Sequence, residues 1–397
     1  MKTPISGRPK LSVVAGKASS SSAPRPHIPM SEPDITPEDI DTVVDVLESK
    51  CLSLGPYLQK FEEAFATYIG TRYAVGVSSG TAGLHCAVRA ADIGPGDEVI
   101  TTPFSFVASA NCVLYERAKP VFVDIDEKSL NIDSNLLPKA VTERTRAILP
   151  VHVFGQPCPM DEITSLANRH NLQVIEDACE AVGSEYRGRK VGTFGSAAVF
   201  AFYPNKQMTT GEGGIVTTDN PDLARKLHSL RNQGRDDMGS WLGHSRLGYN
   251  YRMGEINAAL GLSQLSRIES LLTRRQKVAD YYRERLKDVP GVEALAPLET
   301  TTRLSWFVFV VRLDPDISKL FLIQHLADMG VPSRSYFTPI HLHPFYRDLF
   351  GYKEGSFPVT ERVARSAIAL PFHTNFSEAN VDIVVDCLRQ AIPQAAI

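Results

Sequence analysis

Residues 171–206 read NLQVIEDACEAVGSEYRGRKVGTFGSAAVFAFYPNK, and the pattern of this stretch indicates the fold class. It contains two short apolar runs, 172–176 and 197–202, whose length and β-branched content are typical of buried strands. Asp177 directly follows the first run, and Lys206 follows the second in a Tyr-Pro-Asn turn. Each predicted strand therefore ends near a charged residue that can carry chemistry.

The same alternation of apolar strand and amphipathic helix extends outward from this stretch. Strands that alternate with helices predict an α/β fold in which a mainly parallel sheet is covered on both faces. Ligands of such sheets bind beyond the carboxyl ends of the strands. Runs 197–202 and 214–218 are close enough in sequence to pair with each other. The predicted strands are 73–77, 98–102, 120–124, 147–153, 172–176, 197–202 and 214–218, and the helices are 80–91, 106–116, 160–170, 221–231 and 253–287.

The pattern changes after Pro290, which predicts a second and smaller domain of α+β type. Its predicted elements are a strand at 306–313 and helices at 317–329 and 380–391. The long helix 253–287 is expected to link the two domains. We therefore divide the chain into a large ligand-binding domain, 31–290, which includes this linking helix, and a small C-terminal domain, 291–397.

Residues 1–30 contain no Asp or Glu and are rich in Ser and Pro. Such a segment cannot bury enough apolar surface to offset its ordering entropy, so we predict a disordered leader. Its apolar stretch is too short for a signal peptide. A transit peptide stays open as an alternative because the segment is Ser-rich and acid-free.

Charge and cysteine content exclude several classes of protein. The 397 residues include 42 basic and 45 acidic side chains, a formal net charge of -3, which argues against nucleic-acid or anionic-membrane partners. No apolar run reaches the ~18 residues that a membrane span needs. The six cysteines are scattered without a CxxC pair, so we expect neither a disulfide framework nor a zinc site, and a cytoplasmic location.

Three positions at predicted strand ends carry the candidate chemistry. Ser79-Gly80-Thr81 opens a helix, where free N–H groups and a hydroxyl can bind phosphate. Each of these features, taken singly, also has a purely structural interpretation. The turn can be a plain N-cap, Asp177 can cap a helix, and Lys206 can be a solvated loop lysine. Together they supply what pyridoxal phosphate requires: a phosphate site, a lysine that forms a Schiff base, and an acid that keeps the pyridine nitrogen protonated.

Two other kinds of site are not indicated. The glycines at 76, 80 and 83 do not have the GxGxxG spacing of a dinucleotide fold, and no Walker A sequence occurs. His341 and His343 alternate as on one strand face, but no partner lies at metal-binding spacing, so we predict no metal.

From about Gly55 to the C-terminus, the sequence resembles the DegT/DnrJ/EryC1/StrS family of fold-type I sugar aminotransferases, which depend on pyridoxal phosphate. The resemblance rests on separated motifs that occur in order. These are Gly55-Pro56 with Phe61-Glu62, Ser79-Gly-Thr-Ala-Gly-Leu-His85, Gly94-Pro-Gly-Asp-Glu-Val-Ile100, Phe106-Val-Ala-Ser109, Pro120-Val-Phe-Val-Asp-Ile-Asp126, Pro150-Val-His152 with Gly155-Gln-Pro157, Glu176-Asp-Ala178, Lys206 with Gly211-Glu-Gly-Gly214, and Gly248-Tyr-Asn-Tyr-Arg-Met253. It implies fold-type I architecture, with a seven-stranded sheet in the large domain.

The resemblance implies a role for each matching residue. Lys206 is expected to form the Schiff base and to shuttle protons during transamination, and Asp177 to pair with the pyridine nitrogen. Phe106 is expected to stack on the cofactor ring, and Gly80 with Thr81 to bind its phosphate.

The resemblance also implies a homodimer with shared active sites. Asn250 is expected to reach the cofactor phosphate of the neighbouring subunit. His341, in Thr338-Pro-Ile-His341, matches a position near the substrate.

Two residues depart from the family pattern. Ala201 stands where a phosphate-binding serine is common, so that hydrogen bond is missing or is supplied by Asn205 or Thr209. Glu180 stands where the family often has a glutamine near the phenolic oxygen of the cofactor. A second carboxylate beside Asp177 is expected either to be protonated or to change the electronics of the ring.

The activity that the resemblance implies is transfer of an amino group from glutamate to a nucleotide-linked keto sugar, for polysaccharide or glycan assembly. A 4-keto-6-deoxyhexose aminated at carbon 4 is the expected acceptor, and amination at carbon 3 is the alternative. A sugar dehydratase that depends on the same cofactor typically lacks the lysine, so Lys206 argues against it. Lys206, Asp177 and Thr81 together argue against a non-catalytic regulatory protein of this fold.

Overall fold

The computed structural model describes residues 28–236 and 243–396. The predicted leader lies outside these residues, apart from its last three. Those belong to the fold: Ile28 is buried, and the Phe372 N–H donates to the Met30 carbonyl at 3.0 Å. An apolar side chain of this segment therefore packs into the core of the C-terminal region.

Strands and helices alternate through the first half of the described chain. The strands are β1 Tyr73–Val77, β2 Glu98–Thr101, β3 Lys119–Phe122, β4 Thr145–Ile148, β5 Gln173–Asp177, β6 Glu185–Tyr186, β7 Arg189–Lys190, β8 Ala197–Ala201, β9 Gly214–Thr218, β10 Val292–Ala294, β11 Thr301–Arg303, β12 Phe309–Leu313, β13 Arg334–Ser335 and β14 Ala367–Leu370. The helices are α1 Pro37–Ser49, α2 Pro56–Ile69, α3 Gly80–Ala90, α4 Ala108–Tyr115, α5 Leu137–Ala140, α6 Met160–His170, α7 Pro221–Arg231, α8 Glu255–Ser266, α9 Ile268–Leu286, α10 Lys319–Asp328, α11 Pro344–Phe350, α12 Pro358–Ser366 and α13 Glu378–Ala391.

The large sheet has seven strands in the order β1-β9-β8-β5-β4-β2-β3. Strand β9 pairs antiparallel with both β1 and β8, whereas the other adjacent pairs are parallel. The prediction of a mainly parallel seven-stranded sheet is thus confirmed, as is the pairing of β8 with β9. The carboxyl ends of β1, β5 and β8 and the start of β9 lie at one edge of this sheet, where parallel α/β sheets bind ligands.

The large sheet is buried on both faces, which explains its nearly continuous apolar strands. In β8, Val199 joins the core that contains Leu84 of α3, whereas the next residue, Phe200, points to the opposite core. There the Phe200 ring meets the Phe65 ring of α2 at a centroid distance of 5.1 Å. Both layers of helices therefore hold the strand ends that form the site.

The predicted single helix 253–287 is wrong, since it is broken at Arg267 into α8 and α9. Arg267 leaves helical geometry, with φ -118° and ψ 16°. Its guanidinium donates to Asp34 at 2.9 Å and to Asp39 at 2.7 Å. These contacts join segments that are far apart in sequence, so no local pattern could signal the break.

Helix α9 spans two cores. Leu271 and Leu272, near its start, pack in the core of the large sheet. Tyr282 and Leu286, near its end, pack with β12 and α13 of the C-terminal region. One continuous helix therefore connects the large sheet to the smaller sheet.

The C-terminal region contains a four-stranded antiparallel sheet in the order β10-β12-β14-β13. Its core includes Phe309 of β12, Leu326 of α10 and Val385 of α13. A third sheet, in the order β11-β6-β7, joins the two regions. None of the helices in the described ranges combines the length and hydropathy that crossing a bilayer requires.

Candidate active site

A cavity of about 530 Å³ lies at the carboxyl edge of the large sheet. It is closed on one side by residues of the C-terminal region, including Phe307 and Tyr336. The cavity brings together most of the predicted site residues, namely Gly80, Thr81, Phe106, Asp177, Glu180 and Lys206.

The turn before α3 presents backbone donors to this cavity. The Ser79 hydroxyl caps the helix by accepting from the Ala82 N–H at 3.1 Å. The capping role therefore belongs to Ser79, and Thr81 remains at the cavity wall with the N–H groups of the first turn, which have no intrahelical acceptor. A Cβ added at Gly214 of β9 would lie 2.6 Å from the carbonyl carbon of Ser79, so only glycine fits beneath the turn.

Asp177 is the last residue of β5 and is 5% exposed. The Ser109 hydroxyl of α4 donates to its Oδ2 atom at 2.7 Å, and the Cys179 N–H donates to Oδ1 at 3.1 Å. The Ser105 hydroxyl lies 2.7 Å from that of Ser109, which forms a relay of hydroxyls behind the carboxylate. Asp177 therefore holds the turn that follows β5 and also faces the cavity.

Lys206 is not a solvated loop lysine, because its side chain is only 12% exposed. Its Nζ atom lies 3.6 Å from Oε1 of Glu180 and 3.7 Å from the centroid of the Phe307 ring. The amine is thus placed at the cavity wall between a carboxylate and an aromatic face.

Glu180 is a buried carboxylate whose second oxygen accepts from the Phe154 N–H at 2.8 Å. Burial raises the pKa of Glu180, and the nearby Lys206 amine opposes this shift. The side chain therefore lies between a backbone donor and the Lys206 amine rather than free in the cavity.

The two residues that could compensate for Ala201 differ in their hydrogen bonds. The Thr209 hydroxyl already donates to the Phe202 carbonyl at 3.0 Å and accepts from the Gly211 N–H at 2.9 Å. Asn205, by contrast, lines the cavity, and its buried amide oxygen has no hydrogen-bond partner among the described residues. Because an amide can turn either its oxygen or its NH₂ group to a ligand, Asn205 is the available replacement.

These groups fit pyridoxal phosphate. The helix N-terminus and the uncommitted Asn205 amide match a phosphate, Asp177 matches a protonated pyridine nitrogen, and Lys206 matches an aldehyde. No group of three or more metal-ligating side chains occurs within residues 28–236 and 243–396.

The cavity does not include Asn250 or His341. That His341 lies near the substrate stays a prediction: its side chain is fully buried beside the cavity lining rather than in it, and its Nε2 atom lies 3.0 Å from Oε1 of Glu361. Burial lowers the pKa of His341, against the effect of Glu361. The Asn250 side chain is exposed and lies outside the cavity of its own chain.

Sequence reasoning missed three residues of the site. Ser109 lies in the motif Phe106-Val-Ala-Ser109, which the family resemblance includes. That motif could have indicated Ser109 as a site residue, but not its hydrogen bond to Asp177. Phe307 and Tyr336 come from the C-terminal region, and only tertiary packing brings them to the cavity. Burial raises the pKa of Tyr336 to about 12, which keeps its phenol protonated at the cavity wall.

Comparison with known proteins defines the class. The model of the DegT/DnrJ/EryC1/StrS aminotransferase family matches residues 33–389, so the chain belongs to this family. It is 39% identical over 382 residues to the spore coat polysaccharide biosynthesis protein SpsC of Bacillus subtilis, covering 93% of this chain and 98% of SpsC. It is also 39% identical over 371 residues to the GDP-perosamine synthase of Caulobacter vibrioides, covering 92% of this chain and 99% of that protein.

Solved structures agree in fold and cofactor. The PLP form of the Spr1654 protein of Streptococcus pneumoniae matches with a TM-score of 0.87 and 30% identity, covering 94% of this chain and 100% of that one. The predicted fold-type I architecture, enzyme class and cofactor are confirmed. The protein is a sugar aminotransferase that depends on pyridoxal phosphate.

Proposed function

We propose that this enzyme transfers an amino group from glutamate to carbon 4 of a nucleotide-linked 4-keto-6-deoxyhexose, for polysaccharide or glycan assembly. The observation that carries the proposal is the convergence of the α3 N-terminus, Asp177 and Lys206 on one cavity. The names of the Caulobacter GDP-perosamine synthase and of the Bacillus spore coat polysaccharide protein support a nucleotide-linked sugar and a polysaccharide product. The family resemblance favours carbon 4, and carbon 3 is the alternative.

The residues of the large domain would hold the cofactor. When bound, pyridoxal phosphate supplies an aldehyde that carries the amino group and a ring that accepts electrons. The N–H groups of Gly80 and Thr81 bind its phosphate, and Phe106 stacks on its ring. Asp177, oriented by Ser109, holds the proton of the pyridine nitrogen by charge.

Lys206 moves the proton in this proposal. Its Nζ atom removes the proton from the α-carbon of glutamate, keeps it within the cavity and delivers it to the carbon of the cofactor that takes up the amino group. The same atom returns a proton to the sugar carbon in the second half of the cycle. The Phe307 ring, 3.7 Å away, excludes water from the amine and keeps the proton from exchanging.

We also propose a homodimer whose active sites are shared. Large apolar side chains are exposed near the cavity and near segment 249–254, which suits a surface covered by a second copy. Phe106 and Tyr203 line the cavity and are 62% and 53% exposed. Leu52 and Leu54 are also exposed and flank Ser53, whose backbone pairs with Gly254. The exposed Asn250 would then enter the partner's cavity and bind its phosphate.

The first test is the visible absorbance of the purified protein with pyridoxal phosphate, before and after glutamate, with Lys206→Ala alongside. We expect a visible band that glutamate bleaches and that the variant lacks before any amine is added. NMR of the product made from a nucleotide-linked 4-keto-6-deoxyhexose then identifies the aminated carbon. A protein that stays colourless with the cofactor would contradict the proposed cofactor site. A nucleotide-linked sugar left unchanged by enzyme that glutamate has bleached would contradict the proposed acceptor.

A further inference from the structure

A second cluster of polar side chains lies outside the cavity, between α3, the end of α4 and segment 249–251. It consists of His85, Glu116, Tyr249 and Tyr251, and we call it the His85 cluster. His85 and Glu116 are buried, and the His85 Nε2 atom lies 2.8 Å from Oε1 of Glu116. The Tyr249 hydroxyl donates to the same oxygen at 3.0 Å, and Nδ1 of His85 lies 3.1 Å from the Tyr251 hydroxyl.

The two tyrosines fix the direction of the residue between them. Their rings stack, with centroids 4.9 Å apart and planes 13° from parallel, and both point into the cluster. Asn250, between them, is exposed. In an extended segment, neighbouring side chains point to opposite faces, so anchoring both tyrosines directs Asn250 outward.

The cluster also contacts the phosphate-binding element of its own chain. Helix α3 starts at Gly80 and carries His85 in its second turn. The backbone of the segment is tied to the same place, because the Ser78 N–H donates to the Tyr251 carbonyl at 2.8 Å. One set of side chains therefore holds both the helix that would bind one phosphate and the residue that would bind the other.

We infer that the His85 cluster positions Asn250 for the partner's phosphate, so that Glu116 and Tyr249 are positioning residues that act on the active site of the neighbouring protomer. This inference rests on the shared active sites of the proposed function. Arg89 supports it by donating to Oε2 of Glu116 at 2.8 Å, which holds the carboxylate from its other side. Burial, with Glu116 adding to the effect, raises the pKa of Tyr249 to about 12, so its phenol remains a donor at neutral pH.

Hybrid dimers separate an effect on the partner from an effect on the same chain. One protomer carries Lys206→Ala together with Tyr249→Phe, and the other keeps Lys206, so only the second can fix the cofactor covalently. Borohydride reduction at increasing pyridoxal phosphate then gives the apparent Kd of that one site from its fluorescence. The reverse hybrid places Tyr249→Phe on the protomer that keeps Lys206.

We expect Tyr249→Phe to weaken cofactor binding about tenfold when it is on the opposite protomer, and about twofold or less on the same protomer. Glu116→Gln on the opposite protomer should also weaken cofactor binding about tenfold. Tyr281→Phe removes a similar hydrogen bond, from Tyr281 to Asp382 on α13, and should change neither hybrid. Thermal unfolding of each variant checks that it is folded, as we expect for Tyr249→Phe because it keeps the stacked ring.

Asn250→Ala on the opposite protomer distinguishes the two ways in which the inference can fail. If Asn250→Ala weakens binding but Tyr249→Phe and Glu116→Gln do not, the cluster has no positioning role and the inference is overturned. A loss confined to the same protomer overturns it as well. If Asn250→Ala itself is without effect, the inference falls because the shared site on which it rests is absent, although the role of Lys206 stands.

Discussion

The Lys206 amine has one charged and one aromatic neighbour, the Glu180 carboxylate and the Phe307 ring. Both attract a cation, since a carboxylate does so by charge and an aromatic face by its quadrupole. The ring also removes water from one side of the amine. An amine held in this way is fixed in direction, and a proton-transferring group needs to be within bonding reach of its target.

Asp177→Asn tests the charge at the pyridine subsite. The amide has nearly the same shape and can still accept from Ser109, but it cannot stabilise a protonated nitrogen by charge. We expect turnover to fall on the order of 100-fold, measured by single-turnover reaction with glutamate. Ser109→Ala keeps the carboxylate and removes one hydrogen bond, so it should cost about tenfold. Equal losses in both variants would show that orientation, and not charge, is what Asp177 supplies.

His341 is expected to make stability depend on pH. Burial lowers the pKa of this imidazole below its ordinary value of 6.5, so the unfolded chain binds a proton more readily than the folded one. Its contribution to stability is complete above pH 6.5 and is lost as the pH falls through the folded pKa. His341→Gln should therefore flatten the acid-side fall in the free energy of unfolding, measured by urea titration.

A matched control for His341→Gln is His170→Gln, at an exposed position on α6. It should leave the pH profile of the wild type unchanged. A His341→Gln profile as steep as that of the wild type would mean that other buried groups, and not His341, set the acid sensitivity.

At the scale of elements, the contact between β9 and the start of α3 decides how closely a phosphate can approach the backbone. Gly214→Ala would place a Cβ 2.6 Å from the Ser79 carbonyl carbon and 2.8 Å from the Gly80 nitrogen. We expect the turn to be displaced, with a loss of about 1–3 kcal/mol in unfolding free energy and weaker cofactor binding by fluorescence titration. Gly94→Ala adds the same methyl where no atom lies within 4 Å, so it should change neither quantity.

The proposed dimer predicts different effects for two exposed leucines. Leu247 is 73% exposed and precedes the segment that carries Asn250, whereas Leu320 is 77% exposed on α10 of the small domain. Leu247→Asp should shift the protein from dimer to monomer in light scattering and lower cofactor affinity. Leu320→Asp should remain dimeric and active. A monomeric wild type that turns over normally would contradict the shared active site.

The fold was predictable from sequence where local pattern and tertiary structure agree. Strands buried on both faces give short apolar runs, and β1, β9, α6 and α7 have the predicted bounds. The break at Arg267 was not predictable from local pattern, since the side chain there pairs with aspartates that are far away in sequence.

The site shows the same division between local and tertiary information. Gly80, Thr81, Asp177 and Lys206 stand at or shortly after the ends of predicted strands, so the sequence places them at one edge of the sheet. Their chemical roles remain predictions. Phe307 and Tyr336 depend on how the small domain packs, which no local pattern encodes.

The continuous helix α9 has a consequence for how the molecule comes apart. Because its first half is packed in one core and its second half in the other, neither region can unfold without exposing apolar surface of the same helix. The two regions should therefore melt together, in a single calorimetric transition. For the same reason, limited proteolysis should not release the C-terminal region as an intact fragment, since a cut that frees it from α9 would also remove part of its core.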